Sequence, residues 1–167
     1  MRARYWILLL AILGAGALLA FWMSRRQEVV VFAGRTLYLP WPLRSEAVGS
    51  TSGTLRMRIE DDRASAGVDL LDERASPVDA AHFVEHWITA PRTEQFHPES
   101  IEEYHDAAVD EARLRCVRIR WAGDAMPLEV NCVTDDGRWK LVLLGKDHDL
   151  AHFDSIARQM RGFEQGS

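Results

Sequence analysis

The sequence predicts an α+β fold, in which an antiparallel sheet with two packed helices is preceded by one N-terminal transmembrane helix. Three observations lead to this prediction. An uncharged apolar run opens the 167-residue chain, several later segments alternate apolar and polar residues as strands do, and two segments repeat apolar residues at helical spacing. We therefore expect a membrane anchor with basic flanks at residues 1–26 and a soluble α+β domain at residues 27–167.

The apolar run extends from Tyr5 to Met23. As an α-helix it would rise about 28 Å, close to the thickness of the hydrocarbon core of a bilayer. Aromatic residues stand at both ends, where their rings favour the headgroup level, and two arginines flank the run on each side. The membrane lipid bilayer is thus the first partner that the sequence predicts.

A cleavable signal peptide is the alternative interpretation of this segment, with Ala15-Gly16-Ala17 as its cleavage site. The apolar run continues beyond Ala17, however, and closes with Phe21, Trp22 and two arginines. A spanning helix uses a second aromatic end and a second basic flank, whereas a cleavage site needs neither. These features favour a retained anchor.

The flanks of the segment do not fix its orientation, because each carries two arginines. A short basic N-terminus before a long domain favours a cytosolic N-terminus and export of the rest. We therefore expect a single-pass protein of the cell membrane with an extracytoplasmic (periplasmic) domain.

Small residues within the segment suggest a contact with another membrane helix. Gly16 and Ala20 are four residues apart, so they lie one helical turn from each other and would let a partner helix approach closely. The alternative is that Gly and Ala are simply common in membrane helices.

The charge of the soluble part argues against nucleic acid or anionic lipid as its partner. Of the 20 lysines and arginines, four flank the anchor, which leaves 16 against all 25 aspartates and glutamates. The domain therefore carries about nine net negative charges, whereas binding to phosphates requires positive charge.

The first strands follow directly after the anchor. β-Branched and aromatic residues predict strands at Val29–Phe32 and Thr36–Leu39, and Pro40-Trp41-Pro42 ends the second one. A period of two, with Leu55, Met57 and Ile59 as its apolar positions, predicts a third strand with one wet face, and Val68 and Leu70 continue the pattern in its partner.

The middle of the chain changes to a helical period. Ser76 as cap and Pro77 in the first turn predict a helix through Ile88, with Phe83, Val84, Trp87 and Ile88 on its apolar side. We interpret residues 90–109 as a loop with a helical turn near Glu99–Tyr104.

Three strands and a helix complete the domain. The strands are predicted at Arg113–Trp121, Leu128–Thr134 and Arg138–Leu144, and Asp135-Asp136-Gly137 is a hairpin turn between the last two. The closing helix, Asp147–Arg161, gathers Phe153, Ile156 and Met160 on one side.

The two cysteines, Cys116 and Cys132, lie on neighbouring strands of this predicted meander. If Val117 pairs with Cys132, one face of the hairpin is uniformly apolar, and Cys116 then opposes Val133. A slip of one residue would bring the two sulfurs together but would set Ile119 against Glu129. We expect the apolar register, without a disulfide, and the oxidation state does not decide the compartment.

The element order resembles the Mog1/PsbP-like fold, which includes the DcrB-type bacterial proteins. The resemblance depends on this order, on the Leu-Tyr-Leu-Pro segment from Leu37 to Pro40, and on the final strand that begins Gly137-Arg138-Trp139-Lys140 before a helix. It implies a non-catalytic binding, chaperone or assembly-factor module over about Val29–Phe163. The chain departs from the family in its N-terminal span, and the resemblance assigns no functional residue.

Four histidines form two pairs with a spacing of four, His82 with His86 and His148 with His152. On a helix this spacing presents two imidazoles on one side, as in some zinc or copper sites. Such histidines on wet helical faces are more often solvated polar residues, so we expect no metal site and no cofactor. Neither cysteine nor any serine lies in a recognisable nucleophile motif, and we expect no enzyme activity.

Trp41, held between two prolines, is the predicted anchor for a protein partner, since rigidly placed tryptophans are frequent binding hot spots. The alternative is a residue that closes one end of the sheet. We predict a membrane-anchored, non-catalytic accessory domain, an assembly factor or an immunity-type protein, that contacts a membrane protein through Trp41, Gly16 and Ala20. A metal-binding or hydrolytic domain that uses the histidine pairs is the alternative.

Overall fold

The computed structural model describes residues 27–46, 53–60, 66–91, 97–122 and 127–163, together with Ile12, Gly14 and Gly16. Residues 27–163, where described, contain nine strands, three α-helices and two 3₁₀ segments. The strands are β1 (Glu28–Phe32), β2 (Arg35–Leu39), β3 (Leu43–Ser45), β4 (Thr54–Ile59), β5 (Gly67–Asp72), β6 (Ser100–Glu103), β7 (Leu114–Arg120), β8 (Leu128–Thr134) and β9 (Trp139–Gly145). The helices are α1 (Phe83–Thr89), α2 (Ala107–Glu111) and α3 (Leu150–Ala157), and the 3₁₀ segments at Asp147–Asp149 and Arg158–Gly162 flank α3.

Seven strands form one antiparallel sheet in the order β3-β4-β5-β9-β8-β7-β6, and β1 and β2 form a separate hairpin. The predicted α+β class with an antiparallel sheet is confirmed. The predicted strands β1, β2 and β7–β9 agree with the structure to within one residue at each end. The prediction of two packed helices was wrong, because the described residues of the domain that follows the predicted anchor contain three α-helices.

One face of the sheet, here called the inner face, carries the main hydrophobic core. A row of apolar side chains crosses five strands on this face, formed by Leu55, Leu70, Leu141, Cys132 and Cys116. The hairpin β1–β2 and helices α2 and α3 cover it, and the fully buried Leu37, Leu39, Phe153 and Ile156 fill the space between the layers. Burial of this apolar area is the dominant stabilising contribution to the fold.

The other face, the outer face, is apolar only in part. The row of paired residues adjacent to the Leu55–Cys116 row points to this face. It consists of Arg56, Asp69, Val142, Asn131 and Val117. Helix α1 packs on β6 and β7, where Phe83 and Ala80 bury Val117 and Val133 in a small second cluster. The strands on the side of Arg56 receive no such cover from α1.

The predicted helix Ser76–Ile88 is shorter in the structure and begins only at Phe83. Before it, Val78 donates its N–H to the carbonyl of Gly137 at 2.8 Å, and the Asp79 carboxylate accepts from the N–H groups of Ala81 and His82. These bonds hold the segment in turns, so Ser76 does not cap the helix. Gly137 is required here, because a Cβ would lie 1.9 Å from the carbonyl oxygen of Val78.

The loop predicted for residues 90–109 contains two regular elements instead. The predicted helical turn near Glu99–Tyr104 is wrong, because Ser100–Glu103 forms strand β6 against β7. Helix α2 follows and was not predicted, although Asp106 caps it by accepting from the N–H of Ala108 at 2.9 Å. An aspartate before a short alanine-rich segment is the sequence signal that identifies it.

The expected register of β7 and β8 is also wrong. Cys116 lies directly opposite Cys132, and the two form a disulfide. The prediction assumed one wet face, but Val117 and Val133 are buried beneath α1 on the outer face, so both faces accept apolar residues. The prediction rejected this register because it sets Ile119 against the charged Glu129. In the structure, the Glu129 carboxylate accepts hydrogen bonds from Trp121 Nε1 (3.0 Å) and Asn131 Nδ2 (2.6 Å).

The predicted membrane anchor, Tyr5–Met23, lies outside the described residues apart from Ile12, Gly14 and Gly16, which have helical backbone. Within the described part of the chain, no helix has the length and apolar character needed to cross a bilayer. The anchor stays a prediction.

Candidate binding surfaces

The half of the outer face that no described helix or hairpin covers is the first candidate binding surface. We call it the open sheet face and define it by Arg56 and Arg58 of β4, Asp69 of β5, and Val142 and Leu144 of β9. Leu144 is 38% exposed although its strand lies at the centre of the sheet. These residues line a shallow cavity of about 340 Å³, which has an apolar floor on β9.

Ion pairs form the rim of the open sheet face. Arg56 makes a bidentate ion pair with Asp69, in which Nε and Nη2 each lie 3.2 Å from a carboxylate oxygen. Nη1 of Arg58 lies 3.5 Å from Oε1 of Glu46. Because both arginine side chains are about half exposed, the pairs contribute little to stability. They place charge of both signs beside an apolar floor.

An apolar groove continues the open sheet face towards helix α1. It measures about 320 Å³ and is lined by Val78, Phe83, His86, Trp87, Ala90 and Lys140. Phe83 and Trp87 make an edge-to-face contact with ring centroids 6.5 Å apart. Lys140 and Val142 are alternate residues of β9 on the same face, so the groove and the cavity are neighbours along this strand.

The outward side of the β1–β2 hairpin is the second candidate surface. We call it the hairpin face and define it by Val29, Val31, Thr36 and Tyr38. Val29 pairs with Tyr38 and Val31 with Thr36, so the four side chains form one compact block. Val29, Val31 and Tyr38 are 58%, 72% and 52% exposed, respectively, which is unusual for apolar residues of a strand.

Polar contacts hold the hairpin firmly on the domain. The Gln159 side chain accepts from the N–H of Tyr38 at 2.8 Å and donates to its carbonyl at 2.9 Å, as a neighbouring strand would. Arg35 donates to the carbonyls of Gly162 and Phe163, and the Glu28 carboxylate accepts from the N–H and hydroxyl of Ser45. The hairpin face therefore has a fixed orientation relative to the sheet.

The structure places the predicted partner-binding residues in two different regions. Trp41 is 38% exposed and lies just beyond the open end of the hairpin, where Glu28 pairs with Leu39. Gly16 has helical backbone, and a Cβ built there would meet nothing within 4 Å. Ala20 lies outside the described residues. The roles of Trp41, Gly16 and Ala20 in partner binding stay predictions.

The histidines of the two predicted pairs make different contacts. His82 Nδ1 lies 2.9 Å from an Asp79 carboxylate oxygen, and this contact raises the pKa of His82. His148 Nε2 lies 3.4 Å from the buried Asp149, whereas His86 lines the groove beside α1. Among the described residues, no three His, Cys, Asp or Glu side chains are arranged to hold a metal ion.

A partly buried carboxyl group lies between α2 and α3, away from both surfaces. Oδ1 of Asp154 is buried and has no hydrogen-bond partner among the described residues. Burial raises the pKa of Asp154, and the negative charge of Asp106 raises it further. Burial and the same two carboxylates raise the pKa of the nearby Tyr104 to about 12.

Neither cysteine offers a nucleophile, since both sulfurs are committed to the disulfide. Sequence reasoning missed the residues that define the two surfaces. The apolar run Leu141–Leu144 was a usable signal, because consecutive apolar residues place Val142 and Leu144 on the opposite face from Leu141 and Leu143. The charged residues of β4 were correctly placed on a wet face.

Comparison with known proteins adds no relative: no protein-family model matches the chain, and a search of curated protein sequences finds no match.

Proposed function

We propose that this chain is a single-pass membrane protein whose extracytoplasmic domain binds another membrane protein without catalysing a reaction. The observation that carries the proposal is the open sheet face. Within the described part of the chain, no helix or hairpin covers this half of the outer face, and Leu144 is exposed on an apolar floor between charged rims. Sheets normally bury such a floor beneath another layer, so an uncovered one identifies a surface that a second protein can complete.

The composition of the open sheet face fits a protein partner better than a small molecule. An apolar centre with a polar, hydrated rim is the usual anatomy of a protein interface. The cavity and the groove along β9 are both partly open to solvent, whereas small-molecule sites usually enclose most of their ligand. Arg56 and Asp69, which pair with each other in the free domain, can exchange partners with charges of the bound protein.

The disulfide supports the proposed location. Disulfides persist in oxidising compartments and are rare in the cytosol of most organisms, so Cys116–Cys132 favours an exported domain. The apolar segment Tyr5–Met23 supplies the proposed anchor, and the spacing of Gly16 and Ala20 would allow the anchor to contact a helix of the same partner. An assembly factor or an immunity-type neutraliser fits this arrangement, as does the proposed Mog1/PsbP-like fold.

The experiment is a comparison of partner capture by matched variants of the full chain, extracted from membranes in detergent. Leu144→Gln keeps the size of the side chain but removes its apolar contact, and it adds no charge beside Glu129. Ala151→Gln, at an exposed position of α3, is the control. If Leu144 is a hot spot, its replacement costs roughly 2 kcal/mol or more, which lowers the affinity at least about thirtyfold.

The expected result is a stoichiometric partner that the wild type and Ala151→Gln capture and that Leu144→Gln loses. Thermal unfolding of each variant shows that the domain remains folded. Equal capture by both variants would contradict the assignment of the open sheet face, and a solitary chain in every extract would contradict protein binding. A reporter fused after Ser167 tests the location, because activity of a cytosol-specific reporter would exclude export.

A further inference from the structure

The hairpin face and the open sheet face lie on opposite sides of the domain. Leu37 and Leu39 of the hairpin point into the core on the inner face of the sheet and are fully buried. Val31 and Tyr38 therefore point away from the sheet, whereas Leu144 points out from its other face. The proposed function uses the open sheet face to bind a protein. It assigns no role to the hairpin face.

The hairpin face is held close to the proposed anchor by the length of the connecting chain. Only residues 24–27 separate Met23, the end of the apolar segment, from the start of β1 at Glu28. Met23 and Glu28 are therefore five Cα–Cα steps apart, which span at most about 18 Å when fully extended. The open end of the hairpin thus stays within about 18 Å of the point at which the anchor would leave the hydrocarbon core, near the headgroup layer.

The side chains at this end of the hairpin suit that layer. Val29 and Tyr38 face outward as a pair, and Trp41 is exposed two residues beyond the end of β2. Tyrosine and tryptophan rings are enriched at the membrane–water interface, because each presents an apolar body and a polar group. Arg25 and Arg26 precede the hairpin and can pair with lipid phosphates.

We propose that the hairpin face, together with Trp41, lies in the headgroup layer of the bilayer that holds the anchor. This inference deepens the proposed function and depends on its retained anchor. Because Gln159 and Arg35 fix the hairpin on the domain, contact of this face with lipid also fixes the orientation of the sheet. The open sheet face then points away from the membrane surface, towards the soluble part of a partner.

The contact depends on apolar and aromatic side chains rather than on a basic patch. The soluble domain is acidic, so anionic lipids repel it as a whole and attract only the arginines beside the anchor. We therefore expect the same depth of insertion in zwitterionic bilayers and in bilayers that contain a minority of anionic lipid.

The experiment places a single nitroxide label on the full chain in lipid nanodiscs. Val31→Cys labels the hairpin face, Ile12→Cys labels the anchor and Leu144→Cys labels the open sheet face. The native cysteines are paired in the disulfide, so each variant has one reactive thiol. The nanodiscs contain phosphatidylcholine alone or phosphatidylcholine with a minority of phosphatidylglycerol. Collision with dissolved oxygen and with a water-soluble nickel complex reports the depth of each label.

Three positions give three expected depths. The label at position 12 meets oxygen and not nickel, and the label at position 144 meets nickel freely. At position 31, collision with nickel is severalfold lower than at position 144, in both lipid compositions. If the nickel complex reaches positions 31 and 144 equally while position 12 stays in lipid, the inference is overturned but the anchor stands.

Two further outcomes would reveal a missing anchor or a protein that covers the hairpin face. If the reagent reaches position 12, the retained anchor is wrong, and both the proposed function and this inference fail. If position 31 is protected in native membranes but not in nanodiscs of pure lipid, a protein covers the hairpin face, and the lipid assignment is overturned. Near-ultraviolet circular dichroism of each labelled variant confirms that the fold is retained.

Discussion

On strand β9, Leu143 is fully buried on the inner face of the sheet, while the next residue, Leu144, is 38% exposed on the outer face. The same contrast holds across the sheet. Among the described residues, the hairpin and two helices cover the inner face, whereas the outer face is covered only where α1 packs on β6 and β7. Two leucines of equal hydrophobicity thus have different roles, because stability is decided by what covers a side chain rather than by its type.

Truncation of these neighbouring leucines gives the largest expected difference between the two faces. Leu143→Ala removes buried methyl groups from the inner core and should lower the free energy of unfolding by about 2–5 kcal/mol. Leu144→Ala should cost less than about 1 kcal/mol, because its side chain is already in contact with water. Thermal unfolding of the detergent-solubilised chain measures both changes. Equal losses would show that the outer face is a second core.

Removal of the disulfide tests how much of the stability of the inner face depends on a covalent bond. Cys116 and Cys132 are separated by 16 residues, and closing a loop of that length contributes about 3 kcal/mol. We expect the double variant Cys116→Ala, Cys132→Ala to unfold at a correspondingly lower temperature. Quantification of free thiols in protein from membranes is the companion measurement, and reduced cysteines there would contradict export.

A smaller effect is expected at Asp154, between the two helices that cover the inner face. The pKa of Asp154 is raised in the folded state, so the folded protein favours the protonated carboxyl group. The stability that this preference contributes is present in acid and is lost as the pH rises through the folded-state pKa. Asp154→Asn should therefore raise the melting temperature at neutral pH, and the gain should shrink in acid, where the wild-type carboxyl is protonated. Asp106 contributes to the shift and Arg158 opposes it, so Asp106→Asn should reduce the gain. A gain that did not depend on pH would contradict this electrostatic cause.

The sequence predicted the elements whose signals are local. Strands β1, β2 and β8 and the turn at Asp135-Asp136-Gly137 follow from alternation and turn residues, and the structure confirms them. The start of α1 was wrong because Val78 bonds to Gly137, a contact between segments far apart in the chain. The register of β7 and β8 was wrong for a related reason, since burial of Val117 depends on where α1 packs.

The candidate surfaces were harder to predict than the fold. Trp41 is 38% exposed, and its role as a contact residue stays a prediction. Its proximity to the open end of the hairpin could not be predicted without the β1–β2 register. The sequence signal for the open sheet face was incomplete. The run Leu141–Leu144 indicates a strand that is apolar on both faces, but the position of α1 is needed to show that, among the described elements, no helix covers Val142 and Leu144.

Site-specific photocrosslinking in intact membranes tests most directly whether the open sheet face binds a protein. A photoreactive residue is placed at position 144 of the full chain and, as the control, at position 151 on the exposed side of α3. The account predicts one discrete adduct from position 144, with the partner that Leu144→Gln fails to capture, and none from position 151. No adduct from position 144, or the same adducts from both positions, would contradict it.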